Sequence, residues 1–172
     1  MKNILVTGGA GFIGSNFVRY MLNKHKDYKI INLDLLTYAG NIKSLDDIKD
    51  NPNYLFVKGD ISDNKLVDKI VSENKIDIII NFAAESHVDR SITNPDIFVK
   101  TNVLGTQNLL EVAKKYKTEK FFQISTDEVY GSLGKTGFFT EKTPLSPNSP
   151  YSASKASADL LVMAYHHTFG LN

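Results

Sequence analysis

The chain has 172 residues, which is enough for one domain with a substantial hydrophobic core and too few for two complete ones. Its composition is 42% hydrophobic and 23% charged with a net charge of +1 and no basic block, so we expect neither nucleic acid nor a membrane as a partner. The absence of cysteine excludes disulfides, a thiolate nucleophile and a zinc–thiolate site, and the short apolar segments favour a cytoplasmic protein without a signal peptide.

Five short runs rich in β-branched residues predict buried strands, at residues 3–7, 29–33, 54–57, 77–82 and 120–125. Apolar residues at helical spacing lie between them, at residues 17–22, 66–71 and within 96–116. Strands that alternate with helices predict parallel pairing through right-handed crossovers. We therefore expect an α/β fold, a Rossmann-type doubly wound parallel sheet with helices on both faces.

The end of the chain changes character after the fifth strand. Residues 126–150 are rich in turn-forming residues and are predicted to be mostly loop. Ser149 and Pro150 predict the start of a last helix, and Gly170 predicts its end. No linker or repeat divides the chain, so residues 1–172 are predicted to form one dinucleotide-binding domain.

A glycine-rich turn follows the first predicted strand in the sequence VTGGAGFIGS. It satisfies G-x-G-x-x-G from Gly9 to Gly14 and G-x-x-G-x-x-G from Gly8. Glycine at such a turn lets a pyrophosphate reach the backbone amides at the start of the following helix. A phosphate-binding P-loop is excluded because Gly14 is followed by Ser15 and Asn16 instead of Lys and Ser or Thr.

Asp34 lies 20 residues after Gly14, at the end of the second predicted strand. A carboxylate at this position can accept hydrogen bonds from both hydroxyls of an adenosine ribose. It would repel a 2′-phosphate, and residues 35–37 supply no cation to offset that repulsion, so NAD is favoured over NADP. The alternative is a tight glycine turn in which Asp34 only caps the backbone.

Tyr151 and Lys155 lie four residues apart on the last predicted helix and therefore share one face. A lysine ammonium stabilises a phenolate, which could then take a proton from an alcohol while a hydride leaves. The alternative is a surface tyrosine beside a solvated lysine. The dinucleotide-binding pattern ahead of them favours the catalytic interpretation.

Four segments together resemble the extended short-chain dehydrogenase/reductase family over essentially the whole chain: the glycine turn 8–14, NFAAESHVDRS, STDEVYG and SPYSASKASAD. Within that family they are most similar to the dTDP-glucose 4,6-dehydratases. The acidic pair Asp127 and Glu128 carries this distinction, because the related 4-epimerases usually lack it. The alternative for the pair is two solvated acids at a strand end.

The resemblance implies a role for each residue of the predicted active site. Thr126 would hydrogen-bond the sugar 4-hydroxyl, and Tyr151 would deprotonate it. Lys155 would hold the nicotinamide ribose and lower the pKa of Tyr151. Asp127 would protonate the leaving 6-hydroxyl, and Glu128 would remove the C5 proton that oxidation at C4 has made acidic. Two neighbouring carboxyls can divide this work when repulsion and uneven burial separate their affinities for protons.

The resemblance also implies binding sites for NAD and for a nucleotide sugar. The cofactor site would comprise Gly8, Gly11, Phe12, Ile13, Gly14, Asp34, Asp60, Ile61, Ala83, Tyr151 and Lys155. The substrate site would comprise Ser86, His87 and Thr126, with Asn102 beside it. No metal site is expected, because His166 and His167 are adjacent and no metal-binding spacing is present.

Members of the family continue into a C-terminal region that supplies most of the nucleotide-sugar pocket. We therefore expect this chain to be truncated before that substrate-binding region and to turn over weakly by itself. The resemblance further implies a homodimer formed through helices like those at 96–116 and 152–168. A nucleotide-sugar 4-epimerase and a non-catalytic NAD-binding module remain as alternatives, and the nucleotide base stays open.

Overall fold

The computed structural model describes residues 1–172 and contains one five-stranded, fully parallel sheet with the strand order β3-β2-β1-β4-β5. The strands are β1 (Lys2–Thr7), β2 (Tyr28–Asp34), β3 (Tyr54–Lys58), β4 (Ile78–Asn81) and β5 (Lys120–Gln123). All five lie where the sequence predicted them, with ends that differ by one or two residues. The Rossmann-type fold class is confirmed.

Six α-helices connect and flank the strands: α1 (Phe12–Lys24), α2 (Asn64–Asn74), α3 (Val88–Thr93), α4 (Pro95–Phe98), α5 (Gly105–Tyr116) and α6 (Pro150–Phe169). A π-helical segment, Val99–Leu104, joins α4 to α5, so residues 95–116 form one nearly continuous helical stretch, close to the predicted 96–116. Two 3-10 turns, Ile42–Leu45 and Asp127–Tyr130, complete the secondary structure. Both 3-10 turns, the helix α3 and the π-helical geometry were not predicted. No helix is long and apolar enough to cross a membrane.

Helices cover both faces of the sheet because successive strand residues point to opposite sides. Ile4 and Val6 of β1 belong to one buried cluster with residues of α1, whereas Leu5 belongs to a second cluster with residues of α2 and α5. The same alternation sends Ile30 and Ile31 of β2 to opposite clusters. Each face thus has its own hydrophobic core, and the sheet is held rigidly between them.

Local signals fix the ends of α6. The side chain of Ser149 accepts a hydrogen bond from the backbone of Ser152, and the Ser152 side chain accepts one from the backbone of Ser149, which forms a capping box. Pro150 occupies the first turn, where its missing N–H costs nothing. Gly170 ends the helix in the left-handed conformation with φ +70°. These ends agree with the prediction and place Tyr151 in the first turn of α6.

The segment 131–149 after the second 3-10 turn lacks regular structure, as predicted, but its base is closed. The N–H of Ser146 donates to the carbonyl of Val129 at 2.9 Å. Gly131 has φ +90°, and a Cβ there would lie 2.5 Å from the carbonyl oxygen of Ser146. The close approach of the two chain segments therefore requires glycine at this position.

Candidate functional site

The predicted site residues follow the carboxyl ends of the parallel strands and therefore meet at one edge of the sheet. Gly8 follows β1, Asp34 ends β2, Asp60 follows β3, Ala83 follows β4 and Thr126 follows β5. The chain passes from β1 to β2 on one side and returns through β4 on the other, which opens a crevice between β1 and β4. In open α/β sheets ligands bind at such a switch point.

Buried polar side chains tie the strands together at this edge. The Thr7 hydroxyl donates to Asn81 Oδ1 at 2.5 Å, and Asn81 Nδ2 donates to Gln123 Oε1 at 2.9 Å. Asn81 Nδ2 also lies 3.2 Å from Thr106 Oγ1 on α5. Both donors of the Asn81 amide are therefore used, and the ends of β1, β4 and β5 are held in register beneath the crevice.

Two of the glycines in the turn after β1 are required by packing alone. Gly8 has φ +69°, and a Cβ there would lie 2.6 Å from the backbone nitrogen of Ala83. A Cβ at Gly14 would lie 2.3 Å from the carbonyl oxygen of Gly8. These glycines let the turn approach β4 and let α1 pack closely against the turn.

Gly11 differs, because a Cβ there would meet only the Gly8 oxygen at 3.3 Å and the Ala39 oxygen at 3.9 Å. Gly11 is the N-cap of α1, no side chain caps this helix, and its first turn carries no acidic residue. Phe12 and Ile13 point outward with relative exposures of 86% and 64%. The amides of the first turn are thus uncapped at the positive end of the helix dipole, so the donor set suits a pyrophosphate.

Asp34 is buried and binds the backbone on both sides. Its Oδ2 accepts from the N–H of Ala10 at 2.9 Å, and its Oδ1 accepts from the N–H of Leu36 at 2.8 Å. The carboxylate thereby connects the glycine turn to the end of β2, as the capping alternative supposed. Each carboxylate oxygen can accept a second hydrogen bond, so ribose binding is compatible with this role.

Tyr151, Thr126 and the acidic pair come together in the structure. Thr126 caps the 3-10 turn Asp127–Tyr130 by accepting from the N–H of Glu128 at 3.3 Å. Buried Val129 anchors that turn, which leaves Asp127 and Glu128 exposed toward Tyr151. Burial raises the pKa of Tyr151, its hydrogen bond with Thr126 lowers that pKa, and the charges of Glu128 and Asp127 raise it further. The arrangement places two carboxylates close enough to Tyr151 for their charges to act on its hydroxyl.

Lys155 is nearly inaccessible, at 4% relative exposure, and its Nζ donates to the carbonyl oxygen of Ile124 at 2.5 Å. Burial lowers the pKa of Lys155, and the charge of Asp159 raises it. The sequence analysis expected Lys155 to lower the pKa of Tyr151, but in this structure the pKa of Tyr151 is raised. The physical reasons are the burial of the phenol and the charges of the two nearby carboxylates.

Asn102, expected only beside the site, organises it. Its side chain accepts from the N–H of Glu85 at 2.8 Å and donates to the Glu85 carbonyl at 2.9 Å and to Ser154 Oγ at 2.8 Å. Ser154 in turn donates to the carbonyl of Tyr151. Asn102 lies in the π-helical segment, a geometry that is frequent at functional sites. It connects the loop after β4 to the turn of α6 that carries Tyr151.

Tyr38, Glu85 and Arg90 form a group that the sequence analysis did not assign to the site. The Tyr38 hydroxyl accepts from the N–H of Ser86 at 3.4 Å, and the Arg90 guanidinium lies 4.1 Å from the centre of the Tyr38 ring. Burial raises the pKa of Glu85, while the Arg90 charge and a hydrogen bond from Tyr38 lower it. A carboxylate four residues after the end of buried β4 was the signal that could have identified this group.

The remaining predicted site residues differ in their exposure and in their contacts. Ser86 is exposed, and His87 is exposed as the N-cap residue of α3. Asp60 accepts from the N–H of Ser62 at 2.8 Å and lies 3.9 Å from the Lys100 ammonium. Ile61 is buried and belongs to the hydrophobic core cluster that includes residues of α2 and α5. No group of three or more histidine, aspartate or glutamate side chains is placed to hold a metal ion.

The parallel sheet, the crevice at its switch point and the uncapped glycine turn define a Rossmann-type protein of the dinucleotide-binding class. A family model described as GDP-mannose 4,6 dehydratase matches residues 5–172, and the chain belongs to this family. The resemblance to the short-chain dehydrogenase/reductase family, and within it to the dTDP-glucose 4,6-dehydratases, is confirmed.

The chain is 53% identical over 180 residues to a dTDP-glucose 4,6-dehydratase of Xanthomonas campestris pv. campestris (strain B100), covering 99% of this chain and 51% of that protein. A solved dTDP-glucose 4,6-dehydratase from Bacillus anthracis str. Ames in complex with NAD is 58% identical with a TM-score of 0.91, over 99% of this chain and 52% of that one. A UDP-glucose 4-epimerase from Thermotoga maritima with UDP-glucose is 34% identical with a TM-score of 0.88, over 98% and 52%. The chain thus spans about half the length of the relatives it matches.

Proposed function

We propose that this chain is the NAD-binding and catalytic part of an enzyme that converts dTDP-glucose to the 4-keto-6-deoxy sugar nucleotide. The observation that carries the proposal is the acidic pair Asp127 and Glu128 beside Tyr151. Loss of water across C5 and C6 needs an acid and a base at adjacent positions, whereas 4-epimerisation involves no proton transfer at C5 or at the 6-hydroxyl. The higher identity to the dehydratase than to the epimerase supports the same choice.

NAD is the cofactor that the residues at the carboxyl edge fit. Gly8, Gly11 and Gly14, with the amides of Phe12 and Ile13, would hold the pyrophosphate on the first turn of α1. Asp34 would accept from the ribose hydroxyls, and Asp60, Ile61 and Ala83 would surround the remainder of the cofactor. The chemistry that bound NAD supplies is acceptance of a hydride from sugar C4 and its later return to C6.

The chain's own residues would perform the proton transfers. Tyr151 would take the proton of the 4-hydroxyl while Thr126 orients that hydroxyl. Glu128 would then remove the C5 proton, and Asp127 would give a proton to the departing 6-hydroxyl, so that water leaves and a C5–C6 double bond forms. Ser86 and His87 are exposed at the same edge, where they would contact the sugar nucleotide.

A non-catalytic NAD-binding module would not need the tyrosine and lysine that α6 brings to this edge.

The proposal includes a homodimer formed through the helical stretch 95–116 and α6. Both carry exposed apolar side chains that would suit such an interface, including Val99, Leu104, Leu160 and Met163. A cytoplasmic location belongs to the same proposal, because nucleotide sugars and NAD are cytoplasmic metabolites.

The test uses the full-length reading frame with dTDP-glucose and separates oxidation from elimination. Tyr151→Phe removes the oxidation base, so reduction of the cofactor, followed by nicotinamide absorbance, should fall by roughly 10² to 10⁴. Asp127→Asn and Glu128→Gln should leave oxidation largely intact and slow the loss of water, so reduced cofactor should accumulate. The 4-keto product is measured in parallel.

Asp50→Asn and Glu73→Gln provide matched controls, since both acids are exposed and remote from the carboxyl edge. They should turn over at the parental rate. Parental turnover by both acidic-pair variants would exclude the dehydratase assignment and favour the epimerase.

A further inference from the structure

A third polar residue extends the face of α6 that carries Tyr151 and Lys155. Asp159 follows Lys155 by four residues, so the three side chains lie on successive turns of one face. Ser125 Oγ donates to Asp159 Oδ2, while Lys155 Nζ donates to the carbonyl of the neighbouring Ile124. Two consecutive residues after β5 are therefore bonded to two consecutive turns of α6.

Lys155 needs a source of stabilisation for its positive charge. It is almost fully buried, and its one hydrogen bond, to the Ile124 carbonyl, replaces only part of the lost hydration. Loss of the proton would leave a neutral amine that could not stabilise a phenolate by charge. Burial lowers the pKa of Lys155, and the charge of Asp159, one helical turn further along α6, opposes that effect.

Three other carboxylates on elements packed against α6 have different neighbours. Asp127 and Glu128 act on Tyr151. Glu111 of α5 pairs with Lys114 and accepts from the Tyr165 hydroxyl. Asp159 in contrast accepts from Ser125; burial raises the pKa of Asp159, and its hydrogen bond with Ser125 and the charge of Lys155 lower it.

We infer that Asp159 is a positioning residue that keeps Lys155 charged and directed at the end of β5, and that Ser125 fixes the carboxylate for this task. The inference deepens the proposed function, on which the use of Lys155 rests. The effect of the Asp159 charge on the protonation of Lys155 is a property of the folded chain, so it can be measured without cofactor. A merely structural tie would need only the hydrogen bond from Ser125, which an asparagine at position 159 could also accept.

The experiment titrates the Lys155 side chain by NMR in the 172-residue chain with isotope-labelled lysine, and Lys155→Arg assigns its signal. Asp159→Asn keeps the shape of the side chain and removes its charge. A unit charge at about 6 Å in a medium of effective dielectric constant about 20 shifts a titration by about 1 to 2 pH units. The titration midpoint of Lys155 should therefore fall by about that amount, and Asp159→Glu should restore most of it.

Asp68→Asn is the matched control, because Asp68 pairs with Lys115 and not with Lys155. It should leave the Lys155 midpoint in place. Ser125→Ala keeps the charge but releases the carboxylate, so the midpoint should fall by a smaller amount. This variant decides the question if Asp159→Asn does not fold, and an unchanged midpoint in the folded variants overturns the inference.

Calorimetry with NAD separates this inference from the proposed function. Above the lowered midpoint, Asp159→Asn should bind NAD about tenfold more weakly than the parent chain, and the difference should shrink at lower pH. If the parent chain fails to bind NAD at all, the proposed function fails while the Lys155 titration still decides the role of Asp159. If NAD binds and the variant matches the parent at every pH, Asp159 does not support the cofactor site.

Discussion

Alanine substitutions at Gly14 and Gly11 should separate the folding role of the glycine turn from its binding role. Both substitutions add a single methyl group within the same turn. At Gly14 the new Cβ would lie 2.3 Å from the Gly8 carbonyl oxygen and 2.8 Å from the Gly9 Cα. At Gly11 the nearest atom would be the Gly8 oxygen at 3.3 Å.

The expected costs follow from these distances. Alanine inside a helix is favoured over glycine by about 1 kcal/mol, but overpacking against backbone that cannot move aside costs about 1 to 3 kcal/mol or more. Gly14→Ala should therefore lose about 2 kcal/mol of unfolding free energy. Gly11→Ala needs a movement of only a few tenths of an ångström, and its effect on stability should stay below about 1 kcal/mol.

The binding effects should follow the opposite order among folded molecules. The Gly11 methyl group would stand over the uncapped amides of α1, and loss of roughly one charge-assisted hydrogen bond corresponds to about tenfold weaker NAD binding. Urea unfolding and calorimetry on the two variants measure the two effects. Parental stability of Gly14→Ala, or parental NAD affinity of Gly11→Ala, would refute the assignment of the two glycines.

Two further substitutions probe a buried carboxylate and a buried phenol. The carboxylate of Asp34 accepts hydrogen bonds from two backbone N–H groups, and Asp34→Asn would turn an amide donor toward one of them. The free energy of unfolding should therefore drop by about 2 to 3 kcal/mol. Calorimetry should also show a smaller preference for NAD over NADP. Equal stability and unchanged preference would contradict both roles of Asp34. Burial and the Glu111 carboxylate raise the pKa of Tyr165 from 10.0 to about 12, so the folded state favours the protonated phenol. That stabilisation is complete below pH 10 and is lost as pH rises toward 12, by about 1 kcal/mol at pH 11, and denaturant unfolding of Tyr165→Phe should lack this loss.

The strands and most helices could be predicted because their signals are local. A parallel strand buried on both faces is a continuous β-branched run, as at Ile78–Asn81, and the ends of α6 follow from Ser149, Pro150 and Gly170. The π-helical segment Val99–Leu104 has no comparable signal. Its geometry accompanies the bonds of Asn102 to Glu85 and Ser154, which are distant in sequence.

The residues at the carboxyl edge were predictable for the same topological reason, since parallel strands deliver their ends to one side. The directions of their pKa shifts and the partners of their side chains could not be predicted. The sequence places Lys155 one turn from Tyr151, but the carbonyl that its ammonium contacts belongs to Ile124, the residue after β5. Likewise, Ile61 follows β3 at the expected position, but the packing of its side chain against Gly105 in the hydrophobic core was not predicted.

The acidic pair places opposing demands on Tyr151 within the proposed function. Elimination needs Asp127 and Glu128 close to the sugar, yet their charges raise the pKa of the phenol that must first lose its proton. Burial acts in the same direction, so the phenolate must be favoured by the hydrogen bond with Thr126 and by nearby positive charge. Lys155 is the cation that α6 offers, and burial works against its charge as well. A dehydratase site of this kind therefore depends more on a protonated lysine than an epimerase site without the acidic pair would. This dependence is the physical reason for a carboxylate such as Asp159 close to Lys155.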